Sequence, residues 1–277
     1  MKKKQWCIVL TLLILCFTIG GVITISEYLA ARKLCEKIAQ GDSIEETTMG
    51  DALTAPIWMD NIAKIFQVDG PKIALVEACY YRNISAVSRL LENGADPNFF
   101  IKGRRSPLEA VLSNGPAGPV DEKSYVIVEM LLKAGADVNR YSLDEPIVIQ
   151  LSSAMVLDAQ NPVKEKILCL LLDHGADREY KGYDYVFHNI VCSGNVALAG
   201  RIIDTYGADV NEIGYNSQTP LILAVSYSHN SATVEMVEML LLRGADTRCV
   251  DKNGKTAIDW ARERDLREIV ELLSNQT

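Results

Sequence analysis

The sequence predicts an all-α solenoid: repeated helix pairs whose connecting turns project in β-hairpin-like form, following one separate apolar helix. Three observations predict it. A short phrase recurs five times, as LLENGADPN (Leu90 to Asn98), LLKAGADVN (Leu131 to Asn139), LLDHGADRE (Leu171 to Glu179), DTYGADVNE (Asp204 to Glu212) and LLRGADTR (Leu241 to Arg248). A Ser or Thr that can start a helix stands twelve residues after three of the phrase's glycines. A run of twenty uncharged residues precedes all of this.

The apolar run comes first in the chain. Residues 1–5 form a basic segment containing Lys2, Lys3 and Lys4, and Trp6 to Ile25 carries no charge. Twenty residues make about 30 Å of helix, the thickness of a bilayer's hydrocarbon core. Lysines on one side keep that end in the cytoplasm and send the rest across. The span is either a retained single-pass anchor or a cleaved signal, since Gly20, Gly21, Ala30 and Ala31 offer small residues near which cleavage could occur. The expected location is the inner membrane with the repeats in the periplasm, or the free periplasm after cleavage. Residues 26–71 read as a linker with capping helices. Within them Trp58, Ile62, Ile65 and Phe66 stand at helical spacing.

From residue 72 to 277 the repeat takes over. Before each phrase, apolar residues recur at three and four, as in Val87, Leu90 and Leu91 or Met236, Val237, Leu240 and Leu241. The glycine ends that helix, because a left-handed cap suits glycine. Asp and Asn after it favour a turn by bonding nearby backbone. Ser106-Pro107, Thr219-Pro220 and Thr256-Ala257 then start the next helix. A lone helix pair cannot bury its apolar face, so neighbours must stack. Insertions are expected between the two helices of a repeat at Ser113 to Ser124, Leu157 to Glu165 and Tyr227 to Thr233.

The stretches TPLILA and GADTRCVDKNGKTAIDWARE, with the five Gly-Ala-Asp phrases, resemble the ankyrin repeat over roughly Lys72 to Leu273. The resemblance implies about six repeats, the last a shortened cap. It also implies a recognition scaffold rather than an enzyme. Two stretches depart from the pattern: DEPIVIQLSSAM has Pro146 without a capping Thr, and YDYVFHNIVCSGN lacks Thr-Pro while placing His188 near the family's histidine position.

Charge and chemistry point the same way. The chain has 28 basic and 36 acidic residues, and without the three leading lysines the basic count is 25. Phosphate contacts need clustered Lys and Arg, so no nucleic-acid partner is expected. Outside the apolar span lie Cys35, Cys79, Cys169, Cys192 and Cys249, in no zinc or redox spacing, and they read as packed thiols. His174, His188 and His229 have no partner at metal or nucleophile spacing. No catalytic residue, metal site or cofactor is therefore expected.

One feature exceeds what a repeat needs. Phe99, Phe100, Tyr141, Tyr180, Tyr183, Tyr185 and Tyr215 gather in the turn segments, with Arg104, Arg105, Arg140 and Arg178 nearby. Aromatics with arginines have the composition of interface hot spots, and packing onto a neighbouring repeat is the alternative. The expected partner is another protein. Together with export, the resemblance suggests an immunity protein that neutralises a secreted toxin or effector, or else an envelope adaptor with no toxin target. A reporter active only after export, fused behind Thr277, should be active in cells. An inactive fusion of a stably produced protein would refute export.

Overall fold

Helix starts are written into the chain by small polar side chains that accept free backbone N–H groups. The structure is a computed structural model and describes residues 74–99, 105–113, 117–141, 145–158, 161–179, 184–227 and 233–275. The span Trp6 to Ile25 and the 26–71 segment, with Cys35, lie outside the described residues, as does His229. No helix among the described residues is long and apolar enough to cross a membrane.

Twelve α-helices are described, in chain order. They are α1 (Ala74–Tyr80), α2 (Ile84–Glu92), α3 (Pro107–Leu112), α4 (Glu122–Lys133), α5 (Ile147–Leu157) and α6 (Pro162–Asp173). Then come α7 (Tyr185–Ser193), α8 (Val196–Tyr206), α9 (Pro220–Ser226), α10 (Thr233–Leu242), α11 (Ala257–Glu263) and α12 (Arg267–Ser274). Ser106 and Thr256 form full capping boxes with Glu109 and Asp259, and Thr219 accepts from Ile222 N–H. Pro146 caps α5 with no side-chain bond, and Gln150 Nε2 instead reaches back to the Glu145 carbonyl at 2.9 Å.

Two insertions are shorter than the sequence suggested. Asn161 caps α6 with Pro162 at its first position, so Pro162 to Glu165 are helical and only residues 158–161 connect α5 to α6. Likewise α4 begins at Glu122, where the Asp121 carboxylate accepts from Ser124 N–H at 3.0 Å.

The chain divides into two compact units. Of the described residues, the first takes 74–99, 105–113, 117–119 and 133–136. In it α1 packs on α2 and α3, burying Leu75, Cys79, Val87, Leu90 and Val111. Burial pushes the Cys79 thiol well above its ordinary range, so it packs as a small hydrophobe. Arg82 is 4% exposed and holds a left-handed φ of 51°. Its guanidinium donates to the carbonyls of Val111 (3.2 Å), Ser113 (3.3 Å), Ala117 (3.4 Å), Gly118 (3.0 Å) and Pro119 (2.5 Å). The rigid fork of Arg thus pins both ends of the Gly/Pro loop, which an ammonium could not do.

The second unit takes 120–132 and the described residues from 137 onward. Within it α5, α7, α9 and α11 pack in one row, and α8, α10 and α12 pack in another. Ile127, Leu131, Ile149, Met155, Ile167, Leu168 and Phe187 are its largest sealed side chains.

The turns obey one rule. In each phrase the Asp carboxylate accepts the backbone N–H two residues on: Asp96, Asp137, Asp177, Asp209 and Asp246 do so at 2.8 to 3.0 Å. The Asn at that second position then reaches forward to the next phrase. In the first unit Asn98 Nδ2 donates to the Gly135 carbonyl at 2.8 Å. In the second, Asn139 and Asn211 donate to Gly175 and Gly244, both at 3.0 Å. Their Oδ1 atoms accept from Asp177 N–H (2.8 Å) and Asp246 N–H (2.7 Å). Only an amide both donates and accepts at this size.

Leu131, fully buried in α4, should cost about 2 to 5 kcal/mol of stability when cut to Ala. Asn211→Ala should cost about 1 kcal/mol for each of its two lost bonds. Denaturant titration of the two variants checks both values.

Candidate functional site

Within the second unit, α7 and the turn before α9 enclose a surface pocket of about 220 Å³. Its floor includes His188, Asn189 and Cys192 of α7, and Tyr185, Tyr215 and Tyr227 stand around it. Tyr215 and Tyr227 are 71% and 53% exposed.

Local sequence explains each placement. Asp184 caps α7 by accepting Phe187 N–H at 3.0 Å, which makes Tyr185 the first helical residue. The Asp184 carboxylate is also ion-paired with Arg178 at 3.0 Å. Burial raises its pKa above the ordinary carboxylate value, against the lowering effect of the Phe187 N–H and the Arg178 charge. One turn on, His188 places Nδ1 2.7 Å from the Asp184 carbonyl. A carbonyl only accepts, so Nδ1 carries a proton. The ring's Nε2 is buried and has no hydrogen-bond partner.

Gly214 closes over this ring. A Cβ there would lie 2.7 Å from His188 Nε2, so the turn can approach only without a side chain. The turn folds back through Gly214 N–H to the Gln218 carbonyl at 2.9 Å, with Asn216 at φ 63°. Lys252, from the following turn, donates its backbone N–H to the Asn216 carbonyl (2.9 Å) and its ammonium to Asn216 Oδ1 (2.8 Å). Burial pushes the Cys192 thiol up to about 11, so at neutral pH it is a packing group and a poor nucleophile. Among the described residues no three His, Cys, Asp or Glu side chains gather as a metal site would require.

Residues 187–277 match the family model described as ankyrin repeats (3 copies). These residues carry ankyrin repeats. The chain is similar to the ankyrin repeat protein YahD of Escherichia coli (strain K12), with 27% identity over 157 residues, 54% of this chain and 73% of that protein. Among solved structures, an ankyrin repeat domain from Acinetobacter baumannii AYE is 24% identical, with a TM-score of 0.60 over 73% of this chain and 96% of that one. The human ASB11 ankyrin repeat domain is 22% identical, with a TM-score of 0.54 over 82% of this chain and 90% of that one. At these identities the likeness speaks for the fold.

The ankyrin architecture accounts for where the sequence-predicted residues fall. Tyr215 lies in a projecting turn and on the pocket. Tyr185 also lines the pocket, but it belongs to α7 and not to a turn, because Asp184 starts the helix one residue before it. Tyr141 is exposed in its turn, Phe99 is half-buried, and Arg105 is exposed just before the Ser106 cap. Phe100, Arg104, Tyr180 and Tyr183 lie outside the described residues. Sequence reasoning did not choose Tyr227, Asn189 or Gly214 for the site. Tyr227 ends α9 beside an insertion, which was the available signal, whereas nothing in the sequence announces that Gly214 faces His188.

Gly214→Ala should destabilise the protein by about 1 to 3 kcal/mol, as overpacking does. Adding His188→Ala should recover part of that loss, and the double-mutant cycle measures the coupling.

Proposed function

We propose that this chain is an exported, membrane-tethered protein that binds another protein through the Tyr185, Tyr215 and Tyr227 pocket and the adjoining turns. Ankyrin repeats imply protein–protein binding. The pocket is the observation that carries the finer reading. Two tyrosines more than half exposed around a concave surface are what a partner needs for a desolvated contact, since Tyr gives large area at small entropic cost. Ile213, 55% exposed in the same turn, extends the apolar surface.

The tether rests on the uncharged span Trp6 to Ile25 behind three lysines. A scaffold so placed meets proteins entering the envelope, and neutralising a toxin delivered there is the use we propose for it. Deleting the gene should then sensitise cells to one specific toxin, and purified protein should suppress that toxin's activity. Unchanged toxin tolerance in the deletion strain would favour an envelope adaptor instead.

Tyr215→Ala and Tyr227→Ala should each weaken binding of the partner captured from membranes by about thirtyfold, the equivalent of about 2 kcal/mol. Their thermal midpoints should stay near wild type, because both rings are largely exposed. Wild-type affinity in both variants would remove the pocket as the docking site.

A further inference from the structure

The wall of the pocket is neutral and offers hydrogen-bonding groups of both kinds. No Asp, Glu, Lys or Arg lines it, and Lys252 at the rim already holds Asn216 Oδ1 at 2.8 Å. Asn216 thus keeps its amide N–H groups as donors. Asn189 is the reverse: its Nδ2 donates to the Ser152 and Ser153 hydroxyls, both at 3.0 Å, and its oxygen stays as an acceptor. Tyrosine hydroxyls do both, and His188 Nε2 lies buried beneath Gly214. Neither sign of charge is selected. What prevails is ring and aliphatic surface, from Tyr185, Tyr215 and Tyr227 with Val156 and Leu223. Eight large hydrophobic residues are exposed among the described ones, and half of them gather here: Tyr215 and Tyr227 in the wall, with Leu157 and Ile213 next in the chain to Val156 and Gly214. Apolar surface left open in one place marks a binding surface.

From this we propose that the pocket receives an aromatic side chain from the protein partner; the proposal rests on the docking reading above. The pocket's size fits. A dry cavity of roughly 150 Å³ holds one benzene, and this pocket of about 220 Å³ stays below the roughly 300 Å³ at which small-molecule sites begin. An incoming charge would give up water and find no counter-charge in the wall. A ring gives up little, and it meets the three tyrosines edge to face or offset, the arrangements their quadrupoles favour. The Asn216 amide N–H groups also suit a ring face, which accepts them weakly. An aliphatic side chain has similar area to bury but no such face.

The test titrates the full chain with capped alanine pentapeptides whose central residue is phenylalanine, cyclohexylalanine, arginine or glutamate, read by amide shifts of α7 and the Gly214 turn. The phenylalanine peptide should bind about tenfold more tightly than the two charged peptides, with the shifts centred on Asn189 and Tyr215. It should also bind about threefold more tightly than the cyclohexylalanine peptide, which has the bulk of the ring without its π-system. Replacing Tyr215 and Tyr227 together by Leu, which keeps apolar bulk, should erase that second preference and leave the cyclohexylalanine affinity near wild type. If cyclohexylalanine binds wild type as tightly as phenylalanine, aromatic recognition is refuted while docking stands. Equal or tighter binding of arginine or glutamate overturns it too, as does failure of every peptide to move these amides. Loss of partner binding in the Tyr→Ala variants is a separate measurement, so the two readings can fail independently.

Discussion

The rest of the structure depends on a side-chain amide that leaves one turn and closes on the next. Asn139 and Asn211 each hold a glycine carbonyl and an aspartate N–H of the following turn. That spacing is fixed by an amide's reach, so the helices behind the turns are fixed as well. Apolar burial supplies most of the stabilisation within each unit, but it is non-directional and would tolerate sliding. The amide clasp is directional and sets the register. Each clasp needs the turn already shaped by its own Asp, and the Asp needs the helix already ended by glycine.

Much of this was legible in the sequence because it is local. The glycine stop, the Asx turn and the Ser or Thr cap each span four residues or fewer, and the five phrase glycines do take positive φ. Helix pairing followed from periodicity. The forward reach of Asn was not legible, since a turn residue and a residue joining two repeats look alike at one position. Arg82 escaped for a similar reason. A lone Arg between helices reads as surface, and its five carbonyl partners lie 29 to 37 residues away.

The site was legible in type rather than in membership. Aromatic enrichment in the turns pointed to Tyr215, and the same argument swept in Tyr185 although it sits on a helix. Tyr227 joins them only because the turn folds back over α7, which depends on Gly214 lying against His188. Contacts of that kind are set by tertiary closure. Residue type and spacing cannot foretell them.

Two phrases lack the asparagine. Arg248 replaces it in the last and Glu179 in the third, and a carboxylate cannot donate to the glycine carbonyl ahead of it. At the third junction, coupling passes instead through the helices. Asn189 bonds Ser152 and Ser153, Asn195 bonds Glu165, and the Tyr206 hydroxyl bonds Asp173 at 2.6 Å. Arg178 meanwhile turns to Asp184. A stack of repeats behaves as a line of coupled units whose weakest couplings set where cooperativity breaks. Among the described residues this junction is thus joined by side chains borne on helices, where the junctions on either side are joined by turn amides. Register is therefore carried by two different chemistries along the second unit, and removing a turn asparagine leaves the helix-borne bonds of the third junction in place.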